Sequence, residues 1–431
     1  MKVSIIGAGL AGSECAYQLL KQGIEVDLYE MKPTKFSPAH KDKNFAELVC
    51  SNSLKSNLIS TAGGMLKQEL RILDSLLIKC ADECAVPAGS ALAVDRHKFS
   101  ELVTTKLKSY KNLHIIEGEI TSLPEGYVVI ATGPLTSDNL SKSLAKLFGD
   151  NYLYFFDAIA PIVSRESIDF NVAFEGDRYG KGNNDYINCP FTKEDYLNFY
   201  QQLINGEIVQ LHDFENSKVF EGCMPIEVLA KRGVDAMRYG PLKPVGIKNP
   251  ATDKGAYAVV QLRKENVMGD YYNIVGFQTN LTYGEQSRIF KLIPGLQNAE
   301  FVRFGSCHKN TYINAPKLLN RFYQLKSNPN IFVAGQLSGV EGYIESISSG
   351  LAVGLNLCNL ISNKPLYDFP NTTMIGALSN YLENASSENF QPMSSNMGIV
   401  AHNLKDKDKQ VKNTKIANKS FVILNNMVNL H

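Results

Sequence analysis

The sequence predicts an α/β protein on a mostly parallel sheet, interrupted by an inserted α+β domain, and three observations lead there. The chain opens with a strand, a glycine turn and a helix; two later apolar strands, far apart in sequence, also end in glycines; and the segment between them alternates strands and turns in its own pattern. With 431 residues there is room for two cores that need no disulfide or metal.

The first element is an apolar run at residues 3–6. It is followed by Gly7-Ala8-Gly9-Leu10-Ala11-Gly12 and a helical pattern that runs through Leu20 and ends near Gly23. Gly7 permits the tight turn, Gly9 lets backbone approach a pyrophosphate, and Gly12 lets the helix pack closely on the strand. The helix start then faces the phosphates with unpaired N–H groups. A second strand, at 25–29, leads to Glu30, eighteen positions past Gly12, where a carboxylate can accept from ribose hydroxyls. Strand, turn, helix and acid at these spacings predict a Rossmann-type dinucleotide site.

Further strands are expected at 114–117, at 127–130 leading into Ala131-Thr132-Gly133-Pro134, and at 331–334. The last leads into Gly335-Gln336-Leu337-Ser338-Gly339-Val340-Glu341-Gly342-Tyr343 and a helix rich in small residues, with Ser346, Ser348, Gly350 and Gly354. Backbone that returns this way suits a flavin cradle, with a helix N-terminus aimed at the ring. Gly133, Gly335, Gln336, Gly339, Gly342 and Tyr343 are its candidate residues. No second nucleotide fingerprint and no CxxxxC redox pair is present. FAD on a glutathione-reductase-like domain is therefore expected, and a pyridine nucleotide–disulfide oxidoreductase is disfavoured. On this reading residues 1–155 and 327–431 form the FAD domain and 156–326 the inserted substrate domain, with a hairpin across 257–262 and 272–277. From about 405 the chain turns polar, with six lysines through Lys419, and a solvated tail is expected.

Composition narrows the function classes. The net charge of +1 gives no global field for nucleic acid, so an RNA site must be a local patch. One such patch is the run Lys231, Arg232, Arg238, Lys243 and Lys248. No apolar run approaches the roughly 20 residues of a membrane span, and a strand begins too early for a secretory signal. A cytoplasmic protein is expected. The eight cysteines lack the density of a disulfide framework, and Cys80 and Cys84 have the spacing of helix neighbours rather than of a metal pair, so no metal is expected.

Several stretches converge on one family: residues 45–53 (FAELVCSNS), 86–89 (VPAG), 93–96 (AVDR), 220–227 (FEGCMPIE), 240–246 (GPLKPVG) and the GQLSGVEGY run. Together they closely resemble the folate- and FAD-dependent tRNA uracil-5-methyltransferases, the TrmFO family, from residue 1 to about 380. The resemblance implies transfer of a one-carbon unit from 5,10-methylenetetrahydrofolate to C5 of a uridine, with position 54 in the T loop of tRNA as the usual target. It also implies FADH2 as reductant and NADH or NADPH to recharge it. Two departures stand out: Lys309, in Ser306-Cys307-His308-Lys309-Asn310-Thr311, replaces an arginine, and Asn280 stands where a histidine is expected. Lysine keeps the charge but loses the planar fork.

The resemblance places Cys50 and Cys223 as the catalytic pair. Uracil C5 becomes nucleophilic once a thiolate adds to C6, and a base must then remove the C5 proton. Cys223 is the expected nucleophile and Cys50 the base or a thiol facing the flavin, with the reverse assignment open. Ser51-Asn52-Ser53 reads as a turn or helix cap whose N–H groups would acidify the Cys50 thiol. His308 and Lys309 are candidates for folate or RNA, and Lys231, Arg232 and Arg238 for RNA phosphates. Competing readings are the same chemistry on a 23S ribosomal RNA uridine, a GidA-type enzyme of the tRNA wobble uridine, whose chains are longer, and a flavin oxidoreductase acting on a small metabolite.

Overall fold

The computed structural model describes residues 2–149, 152–180, 185–209, 224–250, 255–265, 269–388 and 390–429. The chain begins β1 (Lys2–Ile6), α1 (Leu10–Leu20), β2 (Glu25–Glu30), β3 (Ser53–Ser56), α2 (Ala62–Ile72) and α3 (Leu76–Glu83). It continues through β4 (Ala85–Val86), β5 (Ala91–Val94), α4 (Arg96–Lys108), β6 (Leu113–Glu117), β7 (Tyr127–Ile130) and α5 (Asp138–Phe148). The middle contains β8 (Tyr152–Ile159), β9 (Ile162–Ser164), β10 (Phe174–Glu175), β11 (Tyr186–Phe191), α6 (Lys193–Ile204), α7 (Ile226–Ala230) and α8 (Ala236–Tyr239). After these come β12 (Ala258–Lys264), β13 (Tyr271–Ile274), α9 (Tyr283–Phe290), β14 (Phe301–Arg303) and β15 (Ser306–Ile313). The chain closes with α10 (Ala315–Leu318), β16 (Gln324–Leu325), β17 (Asn328–Val333), α11 (Tyr343–Ile361), α12 (Met374–Asn384) and α13 (Lys409–Asn429).

The main sheet has the order β16-β17-β7-β1-β2-β6, parallel except for β16. Its central strands are apolar on both faces because helices cover both: Val3, Ile5, Val26, Leu28, Val129 and Ile130 are fully buried. β17 joins β7 from nearly 200 residues on, so two distant glycine turns end on one edge of the sheet. α11 packs along α1, and small residues allow it: a side chain on Gly350 would put its Cβ 2.2 Å from the Ala11 carbonyl oxygen. α11 is long and apolar enough to cross a bilayer by composition, but here it is a core helix.

The inserted segment builds a second sheet, β10-β11-β12-β13-β9-β14, whose described pairings are antiparallel. The hairpin expected from the sequence is present as β12 and β13, with Leu262 opposite Ile274. Its core is separate and aromatic: Phe199, Phe277 and Phe290 form a chain of rings with centroids 6.1 and 5.3 Å apart. The ribbon of β8 and β15 links the two bodies.

The C-terminal segment departs from expectation. Instead of a solvated tail, Lys409–Asn429 is a helix lying on α2, with Ile416, Ala417 and Leu424 buried. A narrow apolar stripe among lysines is enough to dock it. Buried glutamates fasten these helices. Glu14 accepts from the amides of Leu76 and Leu77 at the start of α3. Glu69 accepts from those of Met374 and Ile375 at the start of α12, and from the Ser420 hydroxyl of α13 at 2.5 Å.

Candidate active site

A large cavity opens where the C-terminal ends of β1, β7 and β17 meet, about 1110 Å³ counting its mouth. Gly7, Gly9, Leu10, Ala11, Glu30, Gly133, Gly335, Gln336 and Tyr343 line it. Gly7 has φ +100, and a Cβ there would sit 2.6 Å from the Ala131 carbonyl oxygen, so only glycine fits. Gly12 is needed for packing, since its Cβ would lie 1.8 Å from the Gly7 oxygen. At Gly9 no protein atom lies within 4 Å of the Cβ position, which leaves open space at the N-terminus of α1. This is the room a pyrophosphate needs.

Glu30 is buried, and its two oxygens accept from the amides of Ala8 and Lys32 at 2.9 and 3.0 Å. The carboxylate is thereby fixed at the end of β2 and keeps lone pairs for a ribose hydroxyl. Ala8 serves through this bond rather than by lining the cavity. The residues present fit a flavin dinucleotide: a glycine turn at a helix N-terminus, a fixed acid, and a second turn at Gly335–Gln336. Two candidates lie elsewhere. A Cβ on Gly339 would strike the Phe390 ring, and one on Gly342 the Glu345 carboxylate, so both glycines serve packing around the start of α11. His40, which had no distinguishing mark in the sequence, also lines the cavity, as do Glu47, Val49 and Thr132 from the two stretches 45–53 and 131–134.

Cys50 is half-buried beside this cavity, next to the lining residue Val49. Of the two alternatives, turn or helix cap, the structure has the turn: the chain bends at Cys50 and Asn52, and the Ser53 amide donates to Ser51 Oγ. Residues 50–52 lead into strand β3, and the amides of Cys50 and Ser51 both donate to the phenolic oxygen of Tyr343, at 2.8 and 3.0 Å. Burial raises the Tyr343 pKa, so its oxygen is a neutral acceptor. Arginines hold the rest of the loop. Arg96 donates to the Leu48 carbonyl (3.1 Å), Arg303 to the Val49 carbonyl (2.7 Å), and Arg263 to Ser51 Oγ (2.6 Å) and Asn52 Oδ1 (3.0 Å). Fully buried Asn52 completes the joint, donating to the carbonyls of Val94 and Lys264. Arg263 and Arg303 escaped sequence reasoning because each looks ordinary until the two bodies meet, and Asn52 was legible only as part of a turn or cap.

Cys223 lies outside the described residues. The described residues resume at Met224; the amide of Ile226 donates to the Gln278 carbonyl, and Glu227 accepts from Thr279 and from the amide of Asn280. His308 and Lys309 lie on β15, opposite Asp157 and Phe156, and their side chains are outside the described set. Further along β15, Thr311 donates through both its amide and its hydroxyl to the carbonyl of Pro134 on the cavity wall. Lys231 and Arg232 are exposed. Arg238 is not available in the same way: it pairs with Asp235, donates to the Tyr257 carbonyl and stacks 3.7 Å over that ring.

Known proteins resemble this chain over its whole length. The family described as Glucose inhibited division protein A matches residues 2–365. A protein of Acetivibrio thermocellus named methylenetetrahydrofolate–tRNA-(uracil-5-)-methyltransferase TrmFO is 55% identical over 428 residues, 99% of this chain and 98% of that one. A Bacillus subtilis protein of the same name is 52% identical over 97% of both chains. Among solved structures, GidA of Aquifex aeolicus superposes with a TM-score of 0.71 at 15% identity, over 99% of this chain and 75% of that one, a likeness of fold alone.

Proposed function

The chain belongs to the TrmFO family of methylenetetrahydrofolate–tRNA-(uracil-5-)-methyltransferases, and from that premise we propose that it forms 5-methyluridine at position 54 in the T loop of tRNA. Methylenetetrahydrofolate is the carbon donor, and FADH2, recharged by NADH or NADPH, is the reductant. The observation that supports this reading best is the meeting of the dinucleotide cradle with the Cys50 loop on one cavity, through Val49 and Tyr343. FAD, when bound, supplies the hydride that reduces a methylene to a methyl group.

The chain's own residues do the rest. The N-terminus of α1 and Gly9 receive the pyrophosphate, and Glu30 accepts from the ribose. The Cys223 thiolate adds to uracil C6, which makes C5 nucleophilic enough to take the one-carbon unit. Cys50 then accepts the C5 proton on its sulfur, tetrahydrofolate leaves the one-carbon unit, and the C6–S bond breaks to release the Cys223 thiolate as the methylene is reduced to methyl. A stacked uridine must be extruded to reach this site. Exposed Lys231, Arg232 and Lys243 offer charge for phosphates, and beside them the Tyr239 ring, 84% exposed, offers a stacking surface for an unpaired base.

The purified protein should be yellow and, given NADH, methylenetetrahydrofolate and unmodified tRNA, should form 5-methyluridine. Full activity in both Cys50→Ala and Cys223→Ala refutes the mechanism. Product on a 23S ribosomal RNA fragment, with none on tRNA, reassigns the substrate.

A further inference from the structure

Cys50 sits in a collar of positive charge drawn from both bodies of the molecule, and the part this collar plays depends on Cys50 being the proton acceptor proposed for methyl transfer. Arg96 comes from the start of α4, Arg263 from β12 and Arg303 from β14. Each bonds the segment from Leu48 to Asn52; Arg96 repels both Arg263 and Arg303, and these two are attracted by the Cys50 sulfur. Against three guanidiniums stands, among the described residues, one buried carboxylate, Glu265, which pairs with Arg96. Arg96 Nε and Glu265 Oε1 are buried without partners, so this pair does not close on itself.

The remaining charged groups around the loop do not cancel the surplus. Glu47 pairs with Lys32 and accepts from the amides of Lys41 and Asp42. Lys55 pairs with Glu345 at the start of α11. Tyr343 is held neutral by burial. The acceptors that the arginines use, two peptide carbonyls, a hydroxyl and an amide oxygen, satisfy N–H groups without neutralising charge. Burying guanidinium charge without a counter-ion is costly, and the loop would need only neutral donors if holding it were the whole purpose. The one group of the loop that can supply an anion is the cysteine sulfur. Its own amide and that of Ser51 cannot stabilise it, because both are spent on Tyr343.

We propose that Arg96, Arg263 and Arg303 are positioning residues that hold the Cys50 loop and keep its sulfur as a thiolate, ready to accept the C5 proton. Two of the three belong to the inserted domain, so the sulfur is charged only where that domain is docked on the nucleotide-binding sheet.

The test is the pH dependence of Cys50 alkylation by iodoacetamide in the flavin-loaded protein, followed by mass spectrometry on the tryptic peptide from Asn44 to Lys55. The wild-type midpoint should lie below about 8.5, the value of a free thiol. Arg303→Gln should raise it by about one unit or more, Arg303→Lys should largely preserve it, and Glu265→Gln should lower it. Shifts of opposite sign from two substitutions in one collar distinguish charge from general disturbance of the fold. The proposal is overturned if both variants keep their flavin and leave the midpoint unmoved, or move it in the same direction. It is also overturned if inorganic phosphate shields Cys50 while the midpoint stays at that of a free thiol, which would assign the collar to a bound anion. Full methylation activity in Cys50→Ala defeats the catalytic role instead, whatever the midpoint.

Discussion

The phosphate-facing turn and the Cys50 loop border the same cavity, yet they are built in opposite ways. The turn is made by near neighbours: six consecutive residues, and a carboxylate that reaches back 22 positions from Glu30 to Ala8. The Cys50 loop is made by partners 48 residues away at Arg96, 212 at Arg263, 254 at Arg303 and 293 at Tyr343. The glycine turn is thus secured locally, while the Cys50 loop beside it depends on the whole assembly. Substitutions should therefore separate flavin content from turnover, and five of them test how cleanly.

The largest effect is expected from Cys50→Ala, which should cut 5-methyluridine formation by about 10²–10⁴-fold while leaving flavin absorbance and melting temperature unchanged. Loss of flavin in that variant would show that the two regions are one unit, and the comparison would fail. Next come two glycines of the turn. Gly12→Val must displace the Gly7 backbone and should abolish folding or flavin retention. A Cβ at Gly9 has open space, so Gly9→Ala should melt like the wild type but bind FAD about tenfold or more weakly, a loss of at least about 1.4 kcal/mol. Equal damage from both would mean that Gly9 serves packing rather than the phosphates.

Tyr343→Phe sharpens the contrast from the other side. It removes the shared acceptor of the Cys50 and Ser51 amides, at a cost of about 1–3 kcal/mol, and should slow methyl transfer without emptying the flavin site. The smallest effect concerns Glu69, remote from both regions. Burial pushes its carboxyl up to about 7 from 4.5, so the folded state holds this proton more tightly than the unfolded chain. Its contribution to stability is full below about pH 4.5 and is lost as the pH rises toward 7. Melting temperatures between pH 5 and 8 should fall more steeply in the wild type than in Glu69→Gln, with flavin content parallel in both. An identical slope in the two proteins would rule out Glu69 as the source of the pH dependence.

The parts of the site that were legible share one property, a fixed spacing along the chain. Gly7, Gly9, Gly12 and Glu30 could be read because strand, turn and helix set their positions. Gly335 and Gln336 followed from a strand that ends in glycine. Where local pattern alone was consulted, it left alternatives open or misled. Ser51-Asn52-Ser53 has the residues of a turn or a cap, and the turn results: the Asn52 side chain is taken by Val94, Lys264 and Arg263 and the backbone runs on as a strand. Lys409–Asn429 has the composition of a tail, but Ser420 meets Glu69 and the segment folds onto α2.

The sequence by itself determined the α/β class and the glycine turn, because short-range backbone geometry is written in consecutive residues, and its motifs singled out Cys50 and Cys223 as the expected pair. Only the tertiary structure decided what surrounds Cys50. Arg263 and Arg303 are ordinary arginines on strands of another sheet until the β8–β15 ribbon brings that sheet against the loop, and burial there turns their charge into a local field.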